Sequence, residues 1–410
     1  MLKKAIQNFI LSGKAVILNH RFAKPIYPLY LFLIIFFLYL LRLSVTVSGV
    51  NIYLLTTVLI FAFSSFFGIF MNRCSTQKII NINYEVMFSK KGFFLIWALY
   101  IFSTLFFIYE HYVFYASFNA FPIQLFDFEI KRFLFPVNGY VHLIAMMSYI
   151  FLFLIIFETQ LANKSKKYKV LVCMFALVST FLGVMIGNRG VIINFIFLIL
   201  FSRSIFFTYS LKKIVLASCF ILYFLGAAKL YRDYMFYGDG VFTSLDANWA
   251  FGSSLAMAPF YYLYQTLVMN LEFLSMYLNA SFEHTLGYFS ILSPLLSIFP
   301  IDLVEMKEFQ TNAIGIDFFG TLTSTGIGTL YIDFGPFFFL GIFFWFWFLA
   351  FIYKLIFSRG KVLFVPLYSY LFLNVIFFSY TYTFNKFYVL LNIFFLMISP
   401  HLFKRVHIHK

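Results

Sequence analysis

Long apolar runs separated by short polar segments fill this chain from about residue 26 to about residue 403. Each run approaches the roughly 20 residues that an α-helix needs to cross the hydrocarbon core of a membrane. The run from Tyr30 to Leu41 does not alternate between polar and apolar positions, as the strands of a membrane barrel would. The pattern therefore predicts an all-α, polytopic membrane protein.

Ten membrane spans fit this pattern, and they make residues 1–410 a single integral membrane domain. We place them at about residues 26–44, 50–71, 93–114, 139–161, 168–187, 190–209, 212–230, 335–357, 362–381 and 386–403. A further apolar and aromatic stretch at about 255–280 would raise the number to twelve if it added a pair of spans.

The connections between the spans alternate between strongly basic and nearly uncharged. One alternate set, which includes both termini, holds 22 of the 30 Lys and Arg residues, and the other set holds 8. Since Lys and Arg are enriched in the cytoplasmic loops of membrane proteins, we expect both termini to be cytoplasmic.

Composition narrows the possible functions. The chain is 63% hydrophobic and 11% charged, and its net charge of +15 comes from short basic clusters between spans. Such clusters are typical of topology signals and do not indicate nucleic-acid binding. The three cysteines lack metal-ligand spacing, and the chain has neither a phosphate-binding loop nor a dinucleotide fingerprint. We therefore expect no metal and no nucleotide cofactor.

The acidic residues are concentrated in one segment. Ten of the fifteen lie between Asp233 and Asp333, in a large loop at about 231–334 between the seventh and eighth spans. The topology puts this loop on the outer face of the membrane. Structureless loops of this length are uncommon, so we expect helices that lie on or dip into the outer interface, chiefly at 255–280.

Two cationic positions on the outer face are candidate phosphate sites. Arg189 sits in a Gly187-Asn188-Arg189-Gly190 turn between two spans, where a guanidinium could bind a phosphate oxygen or simply reach the membrane surface. Lys229 and Arg232 are three residues apart at the end of the seventh span and share a face on a continuing helix. They could clamp a diphosphate or anchor the span, and Asp233 follows them.

Two further blocks lie inside the large loop. Glu283-His284 offers a side chain suited to proton transfer near neutral pH, although a surface histidine is the simpler interpretation. Asp317 belongs to a block rich in Gly, Thr and Ser that runs to Asp333 and Pro336. The last two residues also fit the start of the eighth span as a helix cap and a first-turn proline.

Three of these segments resemble the bacterial O-antigen polymerases, the Wzy-type oligosaccharide repeat-unit polymerases. They are the Gly187–Gly190 turn, Tyr231-Arg232-Asp233, and the return to the membrane that ends in Leu330-Tyr331-Ile332-Asp333-Phe334-Gly335. The large outer loop after the middle of the chain is also similar. An Arg followed eleven residues later by Gly, which some members carry, is absent here, because Thr243 follows Arg232 and Leu200 follows Arg189 at that distance.

The resemblance implies a GT-C-like membrane glycosyltransferase in the bacterial inner membrane, with its active site facing the periplasm. The implied reaction transfers a growing glycan from undecaprenyl diphosphate to a hydroxyl of another lipid-linked repeat unit. Arg189, Arg232 and Lys229 would bind the diphosphate, and Asp317 and Asp333 would bind diphosphate or glycan. The base would be one of four residues, namely His284, Asp233, Glu272 and Asp317. A chain-length regulator and a flippase are the implied protein partners.

Three other classes remain open from the sequence. A lipid-linked oligosaccharide flippase or transporter would have ionisable residues buried in the middle of its spans and short loops. A membrane acyltransferase acting on sugars would place its catalytic groups on the cytoplasmic side, where the connections here are short and basic. A non-enzymatic membrane assembly protein is the third class.

Overall fold

The computed structural model describes residues 23–45, 52–72, 84–120, 139–162, 164–186, 189–206, 258–296, 325–379 and 383–407, together with single positions between some of these ranges. This part of the chain contains twelve α-helices and two short strands. The helices are α1 (Tyr27–Val45), α2 (Ile52–Phe70), α3 (Lys90–Phe118), α4 (Gly139–Leu161), α5 (Lys166–Ile186), α6 (Arg189–Phe206), α7 (Ala258–Asn279), α8 (Ser293–Leu296), α9 (Thr325–Phe334), α10 (Phe338–Phe357), α11 (Val365–Ile376) and α12 (Phe387–Ile398). The strands are β1 (Tyr84–Phe88) and β2 (Phe403–His407).

Five segments are long and apolar enough to cross a membrane. They are Ile52–Phe70, Lys90–Phe118, Gly139–Leu161, Thr325–Phe357 and Val362–Ser379, and shorter apolar helices accompany them. Large apolar side chains on these helices are exposed, such as Phe63 at 72% and Phe94 at 75%, which suits contact with lipid. The helices agree with the prediction of an all-α, multi-pass membrane protein.

The helices α3 and α4 form an antiparallel pair that fixes the direction of the bundle. Phe88, next to the start of α3, contacts Glu158 near the end of α4, and Glu110 contacts His142 at the other end of the pair. We call the end that carries β1, β2 and Lys164 the basic end. The opposite end, where α3 finishes at Phe118, is the distal end.

A two-stranded sheet at the basic end was not predicted from the sequence. The strands β1 and β2 pair antiparallel, with Tyr84 opposite His407 and Phe88 opposite Phe403. The rings of Phe88 and Phe403 stack with centroids 4.5 Å apart, and both side chains are buried. The sheet therefore joins the segment before α3 to the segment that follows α12.

Glu158 joins the same end of the bundle to α4. Its side chain is 0% exposed, and Oε1 accepts the backbone N–H of Phe88 at 3.0 Å and lies 2.9 Å from Lys164 Nζ. Oε2 accepts the hydroxyl of Tyr168 at 3.2 Å. Both carboxylate oxygens are thus satisfied, as a buried charge requires.

The chain reverses direction between α9 and α10. In a straight helix, Leu330 and Gly341 would stand about 16 Å apart, because each residue rises about 1.5 Å. Instead, a Cβ placed on Gly341 would lie 2.9 Å from Leu330 Cδ2. The short 3₁₀ turn Gly335–Phe337 makes the bend, and Gly335 has φ +53°, in the left-handed region that favours glycine. The helix α9 therefore folds back onto α10.

The apolar stretch at 255–280 contains α7. This helix packs against α1, α2 and α9. Its buried side chains include Val268, Leu271, Leu274 and Tyr277, all 0% exposed. Packing against α1 and α2 gives α7 a fixed place beside the bundle.

We expect Glu158→Gln to lower the stability of the purified protein. The amide removes the charge that faces Lys164 and leaves buried donors poorly matched, which costs about 1–3 kcal/mol. Thermal unfolding in detergent should show a lower midpoint than wild type, whereas Lys166→Gln, at an exposed position of α5, should leave it unchanged. Equal midpoints for Glu158→Gln and wild type would contradict the assigned role.

Candidate functional site at the distal end of the bundle

Asp333 on α9 organises the first polar cluster at the distal end. Its side chain is 0% exposed. Oδ1 accepts the hydroxyl of Thr285 and the backbone N–H of Phe289 at 3.0 Å, and Oδ2 accepts the backbone N–H of Ser290 at 2.5 Å. The carboxylate thus satisfies the first N–H groups of the helical turn at Tyr288–Leu292, which have no partner within that turn.

Backbone hydrogen bonds fix the segment before that turn. The N–H of Thr285 donates to the carbonyl of Ile332 at 3.2 Å, and the N–H of Leu286 donates to the carbonyl of Asp333 at 2.8 Å. Segment 284–290 and the end of α9 are therefore one unit.

His284 belongs to this unit. Its ring lies edge-on to Phe282 and Tyr331, with centroids 5.5 Å and 5.6 Å away, and the residue is exposed. The ring also packs on Gly335, where an added Cβ would lie 2.5 Å from His284 Nε2. A glycine at the bend is thus required both by its φ angle and by the histidine above it.

A cavity of about 330 Å³ lies against this unit. Its lining residues come mainly from α10 and from segment 290–295, with two from α9 and one from α12, and apart from Ser290 they are apolar or aromatic. Ser290 is 3% exposed, and its Oγ has no hydrogen-bond partner in the described part of the chain. The cavity therefore offers one hydroxyl on an apolar wall.

Lys386 is an exposed cation close in sequence to residues of the cavity wall. It precedes α12 directly and is exposed, with Nζ 6.0 Å from the ring centroid of Tyr388. Phe384 and Leu390, which lie two residues before and four residues after it, line the cavity. Lys386 is therefore close in sequence to two residues of the cavity wall.

A second polar cluster occupies the distal end of α3 and α4. Glu110 is 0% exposed, and its Oε1 lies 2.6 Å from Nδ1 of His142, whose side chain is 39% exposed. Oε2 of Glu110 is buried and has no hydrogen-bond partner among the described residues. This carboxylate therefore contacts one imidazole and is otherwise enclosed by apolar helices.

His111 is held in place beside Glu110. Its Nδ1 lies 2.7 Å from the carbonyl oxygen of Phe107, and its Nε2 lies 2.9 Å from the carbonyl oxygen of Leu182 on α5. A carbonyl oxygen only accepts hydrogen bonds, so both ring nitrogens face acceptors. His111 thus links α3 to α5 and has no nitrogen turned towards a ligand.

The structure brings together two of the residues predicted from the sequence, His284 and Asp333, although they come from different blocks of the chain. Arg189 is the first residue of α6, and its side chain lies outside the described atoms. Lys229, Arg232, Asp233 and Asp317 also lie outside the described residues. Glu272 is half-buried on α7.

The interpretation of Asp333 as a helix start is wrong. The helix α9 begins at Thr325, eight residues earlier, so Asp333 lies in its last turn. Its carboxylate binds the start of a different helical turn, because α9 folds beside segment 285–290. Pro336 does occupy the first positions of the next helical segment, as expected.

Sequence reasoning missed the pair Glu110–His142. The two residues are 32 positions apart in the chain, so no single local motif contains both. One signal was available, because consecutive antiparallel spans bring the end of one beside the start of the next. An acid near the end of α3 and a histidine near the start of α4 satisfy that condition.

No protein-family model matches the chain, and no curated protein and no solved structure matches it. The resemblance to O-antigen polymerases therefore rests on the quoted motifs and on the layout of the spans.

We expect Asp333→Asn to destabilise the protein strongly. The amide has one acceptor oxygen in place of two, so a buried N–H of Phe289 or Ser290 would face an NH₂ group, at a cost of about 1–3 kcal/mol. Thermal unfolding and limited proteolysis within segment 280–296 report the effect. Glu283→Gln is the matched control, because that carboxylate is exposed. Wild-type stability for Asp333→Asn would contradict its role in holding the segment.

Proposed function

We propose that this protein polymerises undecaprenyl-diphosphate-linked oligosaccharide repeat units into O-antigen, or into a similar surface polysaccharide, on the periplasmic face of the bacterial inner membrane. Both termini and the basic end are cytoplasmic, the ten spans cross the membrane, and the loop at 231–334 is periplasmic. The reaction uses no metal and no nucleotide.

The main support for this proposal is where the ionisable residues lie along the membrane-spanning segments. In the five long apolar segments these residues are Lys90, Lys91, Glu110, His111, His142, Glu158, Asp333 and Lys354. Lysines and Glu158 occupy the basic end, and the others occupy the distal end. A transporter moving a charged substrate would need such groups at middle depth. This arrangement instead suits chemistry at one membrane surface.

The depth of Glu110 agrees with this view. It follows Lys90 by twenty residues on one continuous helix, which corresponds to about 30 Å of rise, the thickness of the hydrocarbon core. With Lys90 at the cytoplasmic boundary, Glu110 and His142 lie at the outer boundary. The pairing of β1 with β2 further supports the topology, because it puts the segment before α3 and the C-terminal segment at the same end.

The substrate is amphiphilic, and the distal site contains both apolar and polar groups that could contact it. The cavity of about 330 Å³ presents an apolar wall for a polyprenyl or sugar face, and Ser290 Oγ offers a hydrogen bond. Lys386 supplies a cation close in sequence to the cavity wall. Arg189, Lys229 and Arg232 provide the further positive charge that a diphosphate leaving group needs as it departs.

The remaining predicted residues take supporting or chemical roles. Asp333 holds segment 285–290, and with it His284, against α9. Because Asp333 is enclosed, its influence on the glycan passes through the segment that it holds. His284, Asp233, Glu272 and Asp317 are the residues from the large loop that could accept the proton of the attacking hydroxyl or bind sugar.

The test is deletion of the gene in a bacterium that makes long-chain surface polysaccharide. Loss of a polymerase leaves lipid A core carrying a single repeat unit on gels. Loss of a flippase leaves core without any repeat unit. A ladder of long chains that persists unchanged in the deletion strain would disprove the proposed function.

We expect Arg189→Ala and Arg232→Ala to abolish the ladder when each variant is expressed in the deletion strain, because the diphosphate loses a cation that stabilises it as it leaves. Membrane levels should match wild type. Replacing either arginine with lysine should give a partial ladder, because lysine keeps the positive charge but lacks the planar guanidinium group. Arg359→Ala, at the basic end, is the control. Wild-type ladders from both alanine variants would exclude the phosphate-binding role.

A further inference from the structure

We propose that His142 is the general base of the polymerisation and that Glu110 is its positioning residue; this inference rests on the proposed function. His142 would touch the acceptor hydroxyl, and Glu110 would act only through His142. Neither residue belongs to the large loop in which the sequence suggests a base.

The contact with Glu110 prepares His142 to accept a proton at Nε2. A carboxylate oxygen 2.6 Å from Nδ1 fixes the proton on that nitrogen, and so directs the lone pair of the neutral ring to Nε2. It also orients the ring and balances the charge that forms when Nε2 takes a proton. A base that is oriented in this way by a third group recurs among enzymes that activate a nucleophile.

Glu110 differs from the other two carboxylates of the spans in the number of hydrogen bonds that it accepts. The other two carboxylates of the spans, Glu158 and Asp333, use both oxygens to accept hydrogen bonds from the surrounding backbone and side chains. Glu110 uses one oxygen, and its only described donor is His142. Because His142 is its one described donor, we infer that Glu110 orients the His142 imidazole. Glu158 and Asp333, which bind several donors each, have structural roles.

His142, unlike Glu110, is accessible from outside the bundle. Glu110 is enclosed, whereas 39% of the His142 side chain is exposed, at the outer membrane boundary where a lipid-linked hydroxyl would arrive. His111 is excluded as the base because both of its nitrogens face backbone carbonyls.

The acceptor hydroxyl oxygen bonds to the anomeric carbon of the donor glycan, and its proton goes to Nε2 of His142. The bond from that carbon to the diphosphate oxygen breaks, and undecaprenyl diphosphate leaves with the electron pair. The imidazolium, stabilised by the Glu110 carboxylate, then releases its proton to periplasmic water.

The experiment uses the purified full-length protein in lipid vesicles, with lipid-linked repeat units extracted from the deletion strain as substrate. We expect His142→Ala to lower kcat by at least about 100-fold with little change in KM, because a general base contributes about 10²–10⁴ to the rate. Glu110→Gln should lower kcat by about tenfold. Imidazole added to His142→Gly should restore part of the turnover, which a structural role would not allow.

Matched variants separate chemistry from folding. His142→Asn keeps an amide N–H near the position of Nδ1 and so keeps the contact with Glu110, but it has no Nε2, and it should be folded and inactive. His401→Ala changes an exposed histidine at the basic end, and Glu158→Gln changes a buried carboxylate there. Both should keep wild-type kcat per folded molecule.

The outcomes are distinct. If the wild-type protein forms no polymer from these substrates, the proposed function fails and the inference falls with it. If the wild-type protein polymerises and His142→Asn or His142→Ala keeps wild-type kcat, the inference alone is overturned. Loss of kcat in His284→Ala with normal kcat in both His142 variants would assign the base to His284.

Discussion

A buried carboxylate in an apolar helical bundle must find its donors inside the protein, and this requirement shapes the structure described above. Helices in a membrane gain little from hydrophobic burial against one another, because lipid is as apolar as their side chains. Polar contacts therefore carry much of the specificity of packing. Here Glu158 joins α4 to β1 and α5, Glu110 joins α3 to α4, and Asp333 joins α9 to segment 285–290. Each of the three links parts of the chain that are distant in sequence.

These links also distinguish the two ends of the bundle. At the basic end, the sheet and Glu158 gather the start of α3, the end of α4 and the segment after α12 into one closed unit. At the distal end, Asp333 and the bend at Gly335 hold His284 on the surface beside an apolar cavity. The rigid basic end keeps α3 and α4 in register. That register in turn decides that Glu110 meets His142.

The sequence predicted long apolar helices but not the contacts between them. Apolar runs are local signals, and the spans predicted at 50–71, 139–161 and 168–187 agree with α2, α4 and α5 to within two residues. The strands β1 and β2 pair across more than three hundred residues, so no local pattern could reveal them. The reversal at Gly335 was hidden for the same reason, since it depends on α9 packing against α10. The helix-start interpretation of Asp333 failed because local capping signals do not show which helix a side chain will cap.

The number of donors around each carboxylate bears on function as well as on folding. A carboxylate whose two oxygens accept hydrogen bonds from backbone and side-chain donors is held in a single geometry. Its protonation or movement would break several hydrogen bonds at once. Asp333 and Glu158 are in that state. Glu110 is not, because one oxygen contacts an imidazole and the other contacts no described donor. Its burial costs free energy that the fold does not recover through further hydrogen bonds. That cost is understandable if the pair exists to hold an imidazole ready for a proton at the membrane surface.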